Sequence, residues 1–415
     1  MQKYYDSLEV RSAAQREREL LDGVNTLLSH AKENTAAYAE SLRDYDGKPL
    51  ASLDQLQHFP VTRKSGLIER QQQQPPLGGL GAFTQAQLAY IFVSPGPIYE
   101  ASTKRADYWR FARALFAAGF RAGDLAQNCF SYHFTPAGAM GDSGCHALGC
   151  SVIPAGVGQT DLQVQTINHL KPSGYIGTPS FLKIILEKAD ALNLDASSLN
   201  KALVSGEALP LSLRNDFTER GISVLQCYAT ADLGLIAYES SVHSGLIVDE
   251  GVHVEIVRPG SGDLVADGEV GEVLVTTLNP DYPLIRFATG DLSAVLEGVS
   301  ECGRTNRRIK GWMGRADQSV KVRGMFIHPD QVASILARHP EIIRARLVVD
   351  WVDQSDQMTL LCEVAQQSES QSESLREAIR QSIRALCKVR GEVNFVEPDS
   401  ISNDGLVIED IRRHE

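Results

Sequence analysis

The chain has 415 residues, 43% of them hydrophobic and 22% charged, with a formal net charge of −12. That length predicts more than one core, in two or three domains, at an ordinary globular composition. The acidic balance supplies no basic face for a phosphate backbone, which excludes nucleic acid as a partner. No run of about 18 apolar residues is present to span a bilayer, and Met1–Asp6 has no apolar signal core. Seven scattered cysteines, an odd number, point to reduced thiols. The expectation is a cytoplasmic protein with no membrane partner.

Residues 8–44 carry a helical pattern in which Leu20, Leu21, Val24, Leu27 and Leu28 form an apolar stripe, read as a packing helix. Phe59-Pro60-Val61-Thr62-Arg63-Lys64 follows, and then Gln71–Gln74 and Pro75-Pro76, with the glutamines read as a solvated connector. Ala89–Val93 reads as a buried strand that delivers Ser94-Pro95-Gly96-Pro97-Ile98-Tyr99-Glu100 at its end. Tyr108–Phe120 reads as a helix stopped by Gly119 and Gly123. Beyond it, Tyr132, His133 and Phe134 stand beside Ala137 and Gly138, a set fit either to line a flat apolar pocket or to pack a core. Cys129, His133, Cys145, His146 and Cys150 lack a close Cys-x-x-Cys pair, so no zinc is assigned.

Strand–loop–helix units then repeat. Pro154–Gly158 follows one apolar strand, Tyr175–Gly177 precedes a helix from Phe181 to Leu192, and Val204–Ala208 ends the next strand. The repetition argues for a doubly wound, mostly parallel sheet with sites at the carboxyl ends of its strands. Val224–Gly234 is another such end and carries Tyr228, Ala229, Thr230 and Asp232. From residue 251 the pattern changes to short alternating strands, His253–Val257 and Glu272–Thr277, in a small β subdomain over 251–316.

Arg286–Leu292 contains a turn, Thr289-Gly290-Asp291, and is followed by the basic, glycine-bounded Gly314–Gly324. Asp291 is short and suited to accept from a vicinal diol; Arg315 can fork onto a phosphate or carboxylate. A separate domain is expected over 317–415, after an N-terminal domain of 1–316 with a helical lead-in of 1–75. Its order is a strand ending at Met325–Pro329, a helix Asp330–Ala337, strands Ala345–Asp350 and Met358–Val364, a polar linker Gln366–Glu373, a helix Ser374–Cys387 and a strand Glu392–Val396. A β-α-β-β-α-β sandwich fits that order.

The succession Tyr228–Asp232, Arg286–Leu292 and Gly314–Gly324 resembles the adenylate-forming superfamily of acyl-CoA synthetases, luciferases and peptide-synthetase adenylation domains. Pro60–Lys64 and Tyr132–Gly138 are similar to stretches of its phenylacetate-CoA ligase subgroup, and the resemblance covers nearly the whole chain. It implies an α/β N-terminal domain with a small, mobile α+β C-terminal domain, acting as a monomer or homodimer. It implies activation of a small carboxylic acid, an aryl acid by the aromatic cluster, with ATP, Mg²⁺ and CoA, leaving AMP. Ser205, Gly206, Glu207, Tyr228, Ala229 and Thr230 would surround the nucleotide, with Asp291 on the ribose and Arg315 on ribose or phosphate. Asp232 would hold the metal, Asp317 would be the hinge, and Lys321 would serve the thioester step. Tyr132, His133, Phe134, Ala137 and Gly138 would form the acyl pocket, and Ser94, Gly96 and Lys104 a degenerate phosphate loop.

The departures are specific. Two prolines remove donors from the loop at Ser94–Glu100, and Glu100 brings a negative charge, so a tight strand-to-helix turn is an equal reading. Ala229 and Ala231 replace a glycine and a threonine of the superfamily pattern, and Asp232 replaces a glutamate. After Ser402-Asn403-Asp404-Gly405, Leu406 stands where the resemblance implies a catalytic lysine, unless Arg412 or Arg413 serves instead. The reading is therefore a ligase impaired in adenylation. Its rivals are a nucleotide- or acyl-adenylate-binding protein without full turnover, and an enzyme that passes the acyl group to a carrier protein or an amine.

Overall fold

The structure, a computed structural model, describes residues 2–94, 97–318, 320–323, 325–352, 355–364, 369–398, 400–402 and 406–412. It divides into two compact units, Met1–Thr289 with Ser293–Trp312, and Gly290–Leu292 with Met313–Glu415.

The first unit is built on a nine-stranded sheet. Its spatial order is Val295–Leu296, Arg308–Ile309, Leu246–Val248, Gly234–Glu239, Ser223–Thr230, Lys201–Val204, Gly174–Gly177, Leu125–Asn128 and Ser151–Pro154. The last five are parallel, and antiparallel pairings extend the sheet from Ser223–Thr230 outward. From Leu125–Asn128 the chain steps outward to Ser151–Pro154, then returns past it to Gly174–Gly177 and continues the other way. Right-handed crossovers in opposite directions must put their helices on opposite faces. Side chains alternate accordingly. Ile176, Leu203 and Leu225 pack with Phe111, Leu115 and Met140 on one face. Tyr175, Ala202 and Val224 pack with Ile167, Leu182, Ile185 and Phe217 on the other. This is the expected doubly wound arrangement, with the reversal of strand order between Leu125–Asn128 and Gly174–Gly177, where such sheets open a crevice.

A second sheet of the order Thr62–Arg63, Phe287–Ser293, Gly271–Thr277 and Val252–Val257 forms the β-rich part. Two expectations need correction. Ala89–Val93 is not a buried sheet strand: it belongs to one arm of a hairpin, Leu88–Ser94 with Ile98–Thr103, and Tyr90 and Ile91 are 58% and 47% exposed. A short apolar run has the same periodicity in either setting. The glutamine run is solvated at Gln72–Gln74, as expected, but it is not a connector. It ends the helix Lys64–Gln73, and Gln71 is buried, donating to the Tyr99 carbonyl at 2.8 Å and accepting from the Tyr99 amide at 2.9 Å. A primary amide carries one donor and one acceptor side, so it can satisfy a strand residue as a neighbouring strand would.

Arg286 ties these parts together. It is 2% exposed, pairs with Glu255 at 3.0 Å, and donates to the carbonyls of Gln57, Phe59 and Gly262.

The second unit holds a four-stranded sheet of the order Glu392–Val396, Ser355–Val364, Ile342–Val352 and Ile408–Asp410, with helices Pro329–Arg338 and Glu369–Cys387. Ile335, Leu347, Leu360, Ile379, Ile383 and Val393 form its core. Here the expected β-α-β-β-α-β order is modified. Met325–Ile327 pairs with Val320–Val322 in a separate hairpin, and the sheet edge is taken by Ile408–Asp410, parallel to Ile342–Val352. The helix expected from Ser374 begins at Glu369, inside the expected linker. No helix among the described residues is long and apolar enough to cross a membrane.

Arg286→Ala should destabilise the first unit by about 3–5 kcal/mol, because Glu255 and three carbonyls would lose a buried cation. Urea unfolding of variant and parent checks this, with a loss below about 1 kcal/mol counting against the pinning role.

Candidate active site

The carboxyl ends of the parallel strands are cross-tied. Ser205 Oγ donates to the Cys227 carbonyl at 2.8 Å, and a Glu207 oxygen accepts from the Ser180 amide at 3.3 Å. Between them Gly206 takes φ +82°, a region that favours glycine. Tyr228 pairs with Ala237, and a register shift before Ala229 breaks the ladder just ahead of Thr230–Gly234. Such an irregularity re-aims the chain, and the Thr230 hydroxyl then accepts from the Leu233 amide at 3.2 Å. Asp232 sits in the turn so formed.

Asp232 Oδ2 accepts from Lys64 Nζ at 2.8 Å, the aspartate side chain being 3% exposed and the lysine 36%. Lys64 reaches it because Thr62–Arg63 pairs with Phe287–Ala288, which starts the following helix at Lys64. Glu100 projects from the hairpin into the same surroundings and is buried. Among the described residues Asp232 Oδ1, both Glu100 oxygens and the Tyr282 hydroxyl have no hydrogen-bond partner of full geometry, although Ser94 bears on Glu100. Burial, then the charge of Asp232, pushes the Glu100 carboxyl up to about 7. Burial, then Asp232 and Glu100, pushes the Tyr282 phenol well above its ordinary range.

The aromatic stretch lies at the strand-order reversal. Tyr132 donates to Asp142 at 2.7 Å and covers Gly138, where a Cβ would stand 2.7 Å from the ring. Asn128 donates to the same carboxylate at 3.0 Å and to the Gly138 carbonyl at 2.8 Å. A cleft of about 380 Å³ is lined by Tyr90, Phe92, Tyr108, Trp109, Tyr132 and His146 among others. Phe134 is 63% exposed with His133 edge-on to it, and its carbonyl accepts from the Val93 amide, tying this loop to the hairpin. Ala137 packs partly buried against the core.

Lys104 does not join Ser94. Ser94 pairs with Ile98 at the hairpin tip, whereas Thr103 pairs with Leu88 at its base, and Lys104 follows there with its ammonium on the Ala86 carbonyl at 3.2 Å. The two are separated by the length of the hairpin, so Lys104 offsets neither Glu100 nor the loop. Gly96 lies outside the described residues.

In the second unit Asp291 and Arg315 are bridged as strand partners, and their side chains pair at 3.2 Å. Gly290, at φ +74°, lies under the guanidinium, where a Cβ would come within 2.6 Å of Nη2. Asp317 falls in the turn Ala316–Gln318 and Lys321 in the strand Val320–Val322; their side chains, like Asn403, Asp404 and Gly405, lie outside the description. Leu406 is 42% exposed, and its carbonyl accepts from Arg346 Nε at 3.2 Å. Arg412 is held by Asp410 and Asp356 at 2.6 and 2.7 Å, and Arg413 lies outside the description.

Residues 108–279 match the AMP-binding enzyme family, and residues 324–406 match the AMP-binding enzyme C-terminal domain. The phenylacetate-coenzyme A ligase of Escherichia coli K12 is 30% identical over 360 residues, covering 82% of this chain and 80% of that protein. The chain belongs to the phenylacetate-coenzyme A ligase family of AMP-binding enzymes. The ligase of Thermus thermophilus is 29% identical over 363 residues, 82% of this chain and 79% of its own length. Among solved structures, an open conformation of 2-hydroxyisobutyryl-CoA ligase in complex with 2-HIB-AMP and CoA covers 99% of this chain and 95% of its own, with a TM-score of 0.87 at 22% identity. The amide bond synthetase McbA of Marinactinospora thermotolerans shares the fold over 78% of this chain and 68% of its own, with a TM-score of 0.55 at 20% identity.

The family implies Mg²⁺, and Asp232 fits it: among the described residues its Oδ1 is buried with no hydrogen-bond partner, and its charge acts on Glu100. No group of three or more His, Cys, Asp or Glu is placed for a metal among the described residues. Two members of this site had no role in the sequence reading. Lys64 stood in a quoted motif, and Glu100 was read as a charge opposed to phosphate; the spacing along the chain did not signal that either faces Asp232.

In nucleotide- and metal-free protein, Glu100 holds its proton more tightly folded than unfolded. The stability this contributes is present below pH 4.5 and lost as pH rises through about 7. Against Glu100→Gln, the parent should lose roughly 3 kcal/mol across that window, measured by denaturant unfolding at each pH; parallel pH curves would refute it.

Proposed function

We propose that this chain joins a carboxylic acid to coenzyme A through an acyl-adenylate. The observation that carries the reading is the family relationship across both parts of the chain, with Tyr228–Asp232 at the carboxyl end of a central strand. In the first step a carboxylate oxygen attacks the α-phosphorus of ATP and pyrophosphate leaves. In the second the CoA thiol loses its proton, its sulfur attacks the acyl carbon, and AMP leaves.

The residue roles follow the motifs. Tyr228, Ala229, Thr230 and the Ser205–Glu207 turn would hold the adenine end, Asp291 the ribose diol and Arg315 the ribose or a phosphate. Mg²⁺, when bound, offsets phosphate charge, and Asp232 would hold it. Asp317 would be the hinge between steps, and Lys321 would serve the thioester step. An aryl acid is the preferred substrate, supported by the aromatic cleft and the ring of Tyr132 over Gly138. The chain would work in the cytoplasm as a monomer or homodimer on small molecules.

ATP–pyrophosphate exchange across a panel of aryl and fatty acids tests the reaction and the substrate class together. Exchange stimulated by aryl acids supports both, and stimulation by long-chain acids alone overturns the aryl assignment. Asp291→Ala should abolish AMP binding in calorimetry, since the ribose hydroxyls lose their acceptor in a desolvated site. Unchanged affinity would remove Asp291 from the site.

A slow first step is favoured by Leu406, which is exposed and carries no charge, and by Arg412, which is held by two carboxylates. A carboxylate approaching a triphosphate brings like charges together, and a positioned ammonium lowers that repulsion. Leu406→Lys should therefore raise pyrophosphate exchange at least about tenfold. Supplied acyl-adenylate should react with CoA in the parent without that change. Rapid exchange in the parent would show that another residue does this work.

A further inference from the structure

We infer that the cleft beside the aromatic stretch selects an aryl acid carrying a ring hydroxyl, which Ser102 and Asp142 read. This deepens the proposed ligase activity and rests on it for calling the bound acid a substrate; the selective binding is independent of it.

The cleft, about 380 Å³, lies between the hairpin and the helix Ala137–Leu148, and Tyr90, Phe92 and Trp109 give it apolar aromatic walls. Trp109 also ties it to the strand ends, because its carbonyl accepts from the Leu235 amide at 3.0 Å, just past the Thr230–Gly234 turn that carries Asp232. Two polar groups of this lining are incompletely used. Ser102 is 1% exposed and stands opposite Tyr90 in the hairpin, and its hydroxyl has no hydrogen-bond partner among the described residues. A buried hydroxyl left in that state is costly, and a ligand group that bonds it removes the cost. From the helix, Asp142 accepts from Tyr132 at 2.7 Å and from Asn128 at 3.0 Å, both through Oδ1. The two donors fix the carboxylate and leave Oδ2 without a partner among the described residues.

A held carboxylate is a strong acceptor for a donor group and repels a second carboxylate. The acid's own carboxylate is therefore turned away from Asp142, and its ring substituent toward it. A phenol suits both groups, since its O–H donates to a carboxylate and its oxygen accepts from a serine. A bare ring leaves Ser102 and Asp142 unpaired, which is how a site built for a hydroxyl rejects the analogue that lacks it. The cations of the lining are already engaged: Arg105 by Asn279 at 2.6 Å and Asp281 at 3.7 Å, and Lys104 by the Ala86 carbonyl at 3.2 Å.

The test is calorimetric titration of the full chain with phenylacetate, 3-hydroxyphenylacetate and 4-hydroxyphenylacetate. At least one hydroxylated acid should bind about tenfold more tightly than phenylacetate. Ser102→Ala and Asp142→Asn should each cut that ratio at least about threefold. Asparagine keeps the oxygen that Tyr132 and Asn128 use and removes the anionic acceptor. Ser102→Ala removes an unpaired hydroxyl and should keep or raise the melting temperature, so its loss of selectivity is not loss of fold. Equal affinity for the three acids, no binding of any at millimolar concentration, or a ratio that survives either substitution overturns the subsite. So does an equal weakening of all three acids by Lys104→Ala, which would put the carboxylate at that end of the cleft. Pyrophosphate exchange as fast on phenylacetate as on the hydroxylated acids, with equal affinities, removes the subsite and leaves the ligase. Hydroxyl-selective binding with no exchange on any acid removes the ligase and leaves the subsite.

Discussion

The buried guanidinium of Arg286 is the contact on which the first unit's site depends. One side chain meets Glu255 and the carbonyls of Gln57, Phe59 and Gly262, so it joins the N-terminal lead-in to the β-rich sheet. Its own carbonyl accepts from the Thr62 amide at 3.0 Å, which sets the register of Thr62–Arg63 against Phe287–Ala288. That register decides where the helix beginning at Lys64 starts, and hence that Lys64 meets Asp232. A planar donor with five N–H groups can hold four partners at once, and a lysine at this position could not.

The charge distribution around Asp232 differs from a phosphate-binding arrangement. The hairpin contributes a carboxylate, the lead-in contributes an ammonium already engaged by Asp232, and the neighbouring phenol of Tyr282 stays neutral. A triphosphate entering such a place meets charge of its own sign unless a cation intervenes. The second unit is organised differently. Gly290 is flat against the Arg315 guanidinium, Gln318 accepts from the Val407 amide at 2.9 Å, and Arg346 holds the Leu406 and Ser402 carbonyls. The tail is tied by its backbone, which leaves the residue at position 406 free to vary in chemistry without altering the turn's anchoring.

What could be read without coordinates was what is local or periodic. The strand–loop–helix repeats, the glycines at strand ends and the alternating strands after residue 251 all leave a pattern within a short window. The Thr-Gly-Asp stretch marks the limit: it reads as a turn, yet it lies inside the strand Phe287–Ser293, where Gly290 takes φ +74° beneath the Arg315 guanidinium.

The sequence by itself determined the family, the doubly wound sheet and most of the strand ends that carry its motifs. Only the tertiary structure decided that Ala89–Val93 belongs to an exposed hairpin, that Gln71 is buried against Tyr99, that Lys104 is far from Ser94, and that the half-exposed Lys64 meets the buried carboxylate of Asp232. The physical reason is that periodicity reports which face of an element is apolar, whereas a partner's identity depends on which distant segment packs there. Lys64 and Asp232 are 168 positions apart in the chain, and their meeting is set by the packing of Arg286, not by any spacing near either residue.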